Sequence, residues 1–248
     1  MLDGLTPPWV RPGGLLFGKV GALSTTRLGG VSTAPYDGLN LGDHVGDDDN
    51  DVARNRALVT EAYALPSDPL WLQQVHGIKV IDAGDWQPNT EADAIVSRQR
   101  GQVPTIMTAD CLPILLASKD GNIVGAAHAG WRGLAGGIVD AVVAAMDVDA
   151  KDLLAWIGPG IGPSAFEVGE EVREVFVRSD HIATNCFTPN ALGRWQADLK
   201  MLAILALRRN GIARITDSGQ CTYADAERFF SHRRSAPCGR MASMIWIL

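Results

Sequence analysis

Residues 122–146, NIVGAAHAGWRGLAGGIVDAVVAAM, change their period part-way along. Residues 123–129 are apolar apart from His128, the pattern of a strand buried on both faces. After a run of small residues, Ile138, Val139, Val142, Val143 and Met146 then fall on one face of a helix. A strand feeding a helix in this way is the unit of an α/β chain. Residues 152–177 repeat the order, with DLLAWI as strand, GPGIGP as turn and the segment ending EEVREVFV as helix.

Outward from this core, the sequence predicts further strands. LLFGKVGALSTTRLGG (15–30) reads as two short strands ending in a turn at Gly29-Gly30, which leaves Arg27 at a strand end. LWLQQVHGIKVIDA (70–83) reads as strand, bend at His76-Gly77 and strand; ADAIVS (92–97), VPTIMTAD (103–110), PILLA (113–117) and RMASMIWIL (240–248) add four more. Helical patterns occupy VARNRALVTEAYAL (52–65) and RWQADLKMLAILALRRNG (194–211), the latter closed by Asn210-Gly211. Apparent hairpins in the first half and strand–helix alternation in the second indicate an α+β, mixed α/β fold with mixed sheets, in one domain spanning 1–248.

The 248 residues are 46% apolar and 20% charged, which excludes disordered and fibrous classes. A formal net charge of −6 opposes general binding to nucleic acid or to anionic membranes, so an anionic ligand must meet locally placed arginines. No apolar run approaches the roughly 18 residues of a membrane span, and no basic segment leads into an apolar one near Met1, so a cytoplasmic protein is expected. The acidic run Asp47 to Asp51 lacks the glycine and terminal glutamate of a calcium loop and reads as a helix N-terminus. GPGIGP (158–163) places Pro163 where a dinucleotide fingerprint wants its last glycine, and no P-loop, zinc-protease or nucleophile-elbow motif occurs.

The four cysteines, Cys111, Cys186, Cys221 and Cys238, are scattered and are expected to be thiols. Cys111, in MTADCLPILL (107–116), joins His76 and His128 at the ends or bends of apolar strands. Thiolate and imidazole suit zinc, and three protein ligands leave a fourth position open. By spacing alone, the same residues also read as hydrogen-bonded strand ends, or as a Cys111–His128 hydrolytic dyad.

STTRLGGVS, YDGLNLGDHVGD, LQQVHG, TADCLPILL, AHAGWRGL, WIGPGIGPSAFEVG, CTYADAERFFSHRR and GRMASMIWI follow in order from about residue 15 to the C-terminus. Together they resemble the laccase-domain family of YfiH-type, or "polyphenol oxidase", proteins. The resemblance implies a four-layer α/β/β/α fold of the YfiH type and a metal site of His76, Cys111 and His128. It also implies purine nucleoside phosphorylase activity toward adenosine, inosine and methylthioadenosine, with purine nucleosides and phosphate as small-molecule partners and adenosine deaminase as a side activity. Zinc is the expected cofactor and copper the alternative. Asp110 is the candidate proton carrier beside the catalytic His76, Cys111 and His128, and Arg27, Asn40, Arg132 and Arg233 are the candidates for substrate or phosphate. The rival readings are a Cys/His hydrolase, a copper-dependent polyphenol oxidase and a binding module without turnover. Two positions depart from the family pattern: Cys238, where threonine is expected, and His232, where an aromatic residue is usual.

Overall fold

The computed structural model describes residues 9–13 and 18–248. In chain order these form β1 (Trp9–Val10), β2 (Val20–Thr25), α1 (Asp49–Ala62), β3 (Pro69–Leu70), β4 (Val80–Asp82), β5 (Ala94–Ser97), β6 (Val103–Thr108), β7 (Leu112–Ser118) and β8 (Val124–Ala129). There follow α2 (Trp131–Gly136), α3 (Ile138–Met146), β9 (Leu153–Ile157), β10 (Glu167–Val168), α4 (Glu170–Ser179), β11 (Phe187–Pro189), β12 (Trp195–Ala197), α5 (Leu199–Arg209), β13 (Arg214–Asp217) and β14 (Met241–Ile247).

A five-stranded sheet in the order β1-β2-β14-β6-β3 lies against a six-stranded sheet in the order β13-β9-β7-β8-β5-β4. Both are mixed: β14 pairs antiparallel with β2 and β6, whereas β3–β6, β4–β5 and β9–β13 are parallel. Side-chain alternation along the central strands assigns the layers. From β7, Leu115 and Ala117 enter the core between the sheets with Ile106 and Ile245, while Ile114 and Leu116 face α3 and α5. From β14, Ala242, Met244 and Trp246 instead meet Val59 of α1 and Tyr63, which caps its C-terminus. The result is the expected four-layer α/β/β/α arrangement, and because β7 is covered on both faces it carries no polar alternation.

Several local expectations needed correction. The helix read over 194–211 begins only at Leu199, where the Asp198 side chain accepts from Met201 N; Trp195–Ala197 is instead the middle strand of a third sheet, β10-β12-β11, which the sequence did not reveal. The strand read at the start of 70–83 is two residues long, because the following chain leaves the ladder and crosses to the other sheet. Conversely, α1 starts three residues earlier than its apolar period, capped by Asp48 within the acidic run. The segment 131–146 is two helices broken at Gly137, whose φ of +98° a β-carbon would strain. Of the two strands read over 15–30, residues 15–17 lie outside the described residues and β2 accounts for the rest. Among the described residues no helix is long and apolar enough to cross a membrane.

Leu115 is fully buried between the sheets, so Leu115→Ala is expected to cost about 3 kcal/mol of unfolding free energy by transfer and cavity formation. Loss of the α5 cap in Asp198→Ala should cost about 1 kcal/mol. Urea denaturation of both variants measures this, and a smaller loss in Leu115→Ala than in Asp198→Ala would contradict the layer assignment.

Candidate metal centre

At one edge of the sandwich the chain steps twice from the five-stranded to the six-stranded sheet, over 71–79 and over 109–111. His76 lies on the first crossing and Cys111 on the second. His128, the last residue but one of β8, has the same parity as Val124 and Ala126, so its ring projects toward the space between the sheets. Two crossings and one strand end thereby bring together three residues separated by up to 52 positions in the sequence.

Their ligating atoms all lie within 4.8 Å of one another. Cys111 Sγ is 3.8 Å from His76 Nε2, and the two imidazole rings meet edge to face at 4.7 Å between centroids. A tetrahedral ion bound at zinc's usual bond lengths would hold sulfur and nitrogen roughly 3.5 Å apart, so the cluster fits with little movement. The donor set, two imidazoles and a thiol, is one that zinc accepts, and copper as well.

Asp93, absent from the sequence-based candidates, organises this cluster. Fully buried, it accepts hydrogen bonds from the backbone N–H of Val75 (3.2 Å), His76 (3.0 Å) and Gly77 (2.7 Å), and from His128 Nδ1 at 2.8 Å. The three backbone bonds hold His76 at φ +61°, a region unfavourable for a residue with a β-carbon. The fourth turns Nδ1 to the carboxylate and Nε2 to the site, where a metal would bind by displacing the Nε2 proton. A buried aspartate opening an apolar strand was the available signal for it.

Burial alone would raise the Asp93 pKa, but the His128 ring and the backbone donors hold it below the usual carboxylate range. Burial likewise works against ionisation of Cys111 and His128, and here too the pairing prevails. The imidazoles of His128 and His76 bring the Cys111 thiol down to about 6, and the Cys111 and Asp93 charges raise His128 to about 9. The thiolate, the form that ligates metals, is thus favoured before any ion binds. Gly130 is part of the same construction: a β-carbon there would lie 2.9 Å from Cys111 Sγ and 3.0 Å from His76 Cδ2.

The three residues are part of the lining of a cleft of about 340 Å³, within the range of small-molecule sites, with His76 exposed and His128 buried. Trp131, Ile161, Phe166 and Leu199 supply apolar walls, and Gln74, His44, His232, Arg233 and Arg240 the polar lining. Of the sequence candidates for the phosphate or substrate, Arg233 reaches the cleft. Arg27 does not line it: the guanidinium pairs with Asp37 at 2.9 Å, donates to Ala226 O and lies over the Phe230 ring. Arg132 stacks on Trp131 outside the lining, and Asn40 is wholly buried behind it.

Asp110 borders the cleft, yet its carboxylate is occupied by Thr222 Oγ1 (2.7 Å), Ser231 Oγ (3.0 Å) and Arg233 N (2.7 Å), and its carbonyl accepts from Ile161 N. Those bonds make it a tie between loops rather than a free proton carrier. Arg240 and Gln74 were missed by sequence reasoning; Gln74 bonds the backbone N and O of Met107, which anchors the His76 loop to β6. The departure at His232 does lie in the cleft, whereas Cys238 is buried beside Arg240.

Residues 21–248 match the model of the multi-copper polyphenol oxidoreductase laccase family. A purine nucleoside phosphorylase of Pseudomonas aeruginosa is 48% identical over 98% of both chains, and the purine nucleoside phosphorylase YfiH of Escherichia coli is 45% identical over the same shares. Among solved structures, a Neisseria meningitidis protein superposes with a TM-score of 0.93 at 41% identity, covering 97% of this chain and 99% of its own. YlmD of Geobacillus stearothermophilus gives 0.90 at 30%, covering 99% and 98%. The chain therefore belongs to this laccase-domain family, whose curated relatives of similar length carry the name purine nucleoside phosphorylase.

In Asp93→Asn the amide nitrogen would face backbone N–H donors. Metal affinity is expected to fall roughly 10- to 100-fold, as for other supporting partners of ligating histidines. Gly130→Ala, which displaces the thiol and the His76 ring, should fall in the same range. Competition with a chelator of known affinity reads both; unchanged affinity in both would separate Asp93 and Gly130 from the metal centre.

Proposed function

We propose that this protein is a purine nucleoside phosphorylase whose zinc is held by His76, Cys111 and His128, with adenosine deaminase as a side activity. The observation that carries the reading is the convergence of three metal-type donors in the lining of a partly apolar cleft that also holds arginine, in a chain closely similar to named phosphorylases. Bound zinc would supply a Lewis acid in the cleft lining.

In phosphorolysis a phosphate oxygen forms a bond to C1′ of the ribose as the C1′–N9 bond breaks, and the bonding pair leaves with the base. The chain's part is to place the two reactants and to favour the charge that moves. Phe166 and Trp131 offer aromatic faces for a purine and exclude water. Arg233 suits the phosphate: its charge is permanent, its main chain is held by Asp110, and its Nη1 is fixed on Glu167 O at 2.9 Å. Deamination replaces the 6-amino group of adenosine with water's oxygen and releases ammonia, in the same cleft and without phosphate.

A second reading draws on one specific feature: Asp93, His128 and Cys111 in sequence form an orienting acid, a base and a thiol of lowered pKa, the parts of a cysteine hydrolase. In it His76 serves only as a second imidazole beside the thiol. Copper in place of zinc would favour the polyphenol oxidase reading, although among the described residues the donors form a single cluster.

Chromatography of adenosine, inosine and methylthioadenosine reactions, each with and without phosphate, tests the proposal. Free base should appear only with phosphate, adenosine should also yield inosine without it, and chelation should abolish both. Cys111→Ala should lose its zinc by elemental analysis. Arg233→Lys should raise the phosphate KM about tenfold and leave deamination within about twofold, since the planar fork is lost but the charge kept. Full turnover in metal-free protein would overturn the role of zinc, and release of free base without phosphate that is lost in Cys111→Ala would favour the thiol hydrolase.

A further inference from the structure

The cleft holds a second arginine, Arg240, which lies in the motif GRMASMIWI (239–247) but was not among the site candidates, and the segment NLGDH (40–44) is shaped around it. Asn40 is wholly buried, and all its polar atoms are committed. Its Oδ1 accepts from Arg240 N at 2.8 Å and Gly42 N at 3.0 Å; its Nδ2 donates to Asp47 Oδ2 at 2.7 Å and Gly42 O at 3.2 Å. Leu41 N donates in turn to Arg240 O at 3.1 Å, so the main chain of Arg240 is clamped on both sides.

Gly42 supplies the space. A β-carbon there would stand 2.7 Å from Arg240 Cγ and 3.2 Å from its Cβ, so the arginine stem fills the room that the glycine leaves. At its far end the guanidinium is pinned through one nitrogen, Nη1, which donates to Cys238 O at 2.8 Å and Gly239 O at 3.1 Å. Among the described residues its bonds to protein all leave from Nη1, and no carboxylate lies within ion-pair distance. Arg27, Arg56 and Arg228, by contrast, are paired with Asp37, Asp43 and Asp225. The Nε–Nη2 edge thus keeps two parallel N–H donors, the arrangement that binds an oxyanion in a bidentate manner. An unpaired cation beside an apolar cleft, in a chain of net charge −6, is a costly feature unless an anion meets it.

We propose that Arg240, seated by Asn40 and Gly42, binds the phosphate co-substrate. The choice of phosphate rests on the phosphorylase reading above, whereas the anion site itself rests on this geometry. Asn40, which the sequence offered as a substrate contact, then acts as a positioning residue through the main chain of Arg240.

Titration calorimetry of the metal-loaded protein with inorganic phosphate, in the presence of hypoxanthine, tests this, beside the phosphorolysis KM for phosphate and for inosine. Arg240→Gln should weaken phosphate binding at least about tenfold, as for the loss of a charge-assisted bidentate contact, and leave metal content unchanged. Gly42→Ala keeps the charge but displaces the stem; it should raise the phosphate KM severalfold with little change in that for inosine. If Gly42→Ala does not fold, Arg240→Lys replaces it and should show the same split, because it keeps the charge and loses the fork. Absence of phosphate binding in the parent protein, or parental affinity in Arg240→Gln, overturns the proposal. Loss in Arg240→Gln with none in Gly42→Ala overturns the seating and keeps the contact. Phosphate binding that depends on Arg240 without release of free base overturns the phosphorylase reading and leaves the anion site standing.

Discussion

The carboxylate of Asp93 is the constraint on which the site depends. It opens β5 at the edge where the chain passes between the sheets, and its two oxygens bind the N–H groups of residues 75–77 and the ring of His128. A charged group this deeply buried is stable only if its acceptor capacity is filled, and here the groups that fill it are the supports of two of the three converging donors. The same bonds that make the aspartate tolerable also hold His76 in its left-handed backbone conformation. Stability and site geometry are therefore one set of interactions, not two.

A second tie acts on the opposite wall. Asp110, also at positive φ, binds Thr222, Ser231 and the Arg233 main chain, and so joins the Cys111 crossing to the segment that carries His232 and Arg233. Asn40 does the same for Arg240 on a third segment. Each cleft loop is thus locked by a buried polar side chain from another part of the chain, the kind of support that keeps a site within the tolerance its chemistry needs. Packing beside the donors leaves as little slack, for Gly130 lies where any larger residue would push the thiol and the His76 ring apart.

Electrostatics complete the arrangement. The chain is acidic as a whole, yet the cleft has two arginines, Arg233 and Arg240, that no carboxylate pairs with among the described residues. Asp110, which lines it, and Asp93, which supports it, are spent in hydrogen bonds. A local cationic lining in an acidic protein favours a small anion that fits the cleft over an extended polyanion that must also meet the surface.

The sequence by itself determined most of the core elements and pointed to the candidate donors. Apolar runs and helical periods, which report burial directly, placed β7, β8, β9, β14 and α3, and eight ordered motifs marked His76, Cys111 and His128 as a set. It did not show the three-stranded sheet, because two- and three-residue strands have no period to read, nor that 194–197 leaves the helix, because Asp198 caps α5 through a side-chain bond to Met201 N. Among the arginines it could not discriminate: Arg27, Arg132 and Arg233 sit in similar Gly- or Ser-containing segments, and only packing turns Arg27 to Asp37 and Arg132 onto Trp131 while Arg233 and Arg240 line the cleft. The roles of Asp93 and Asp110 were decided in the same way. Which carboxylate meets a histidine, and which is consumed by loop N–H and hydroxyl groups, depends on contacts spanning 35 residues for Asp93 and His128 and more than 110 for Asp110, and no local pattern encodes such distances.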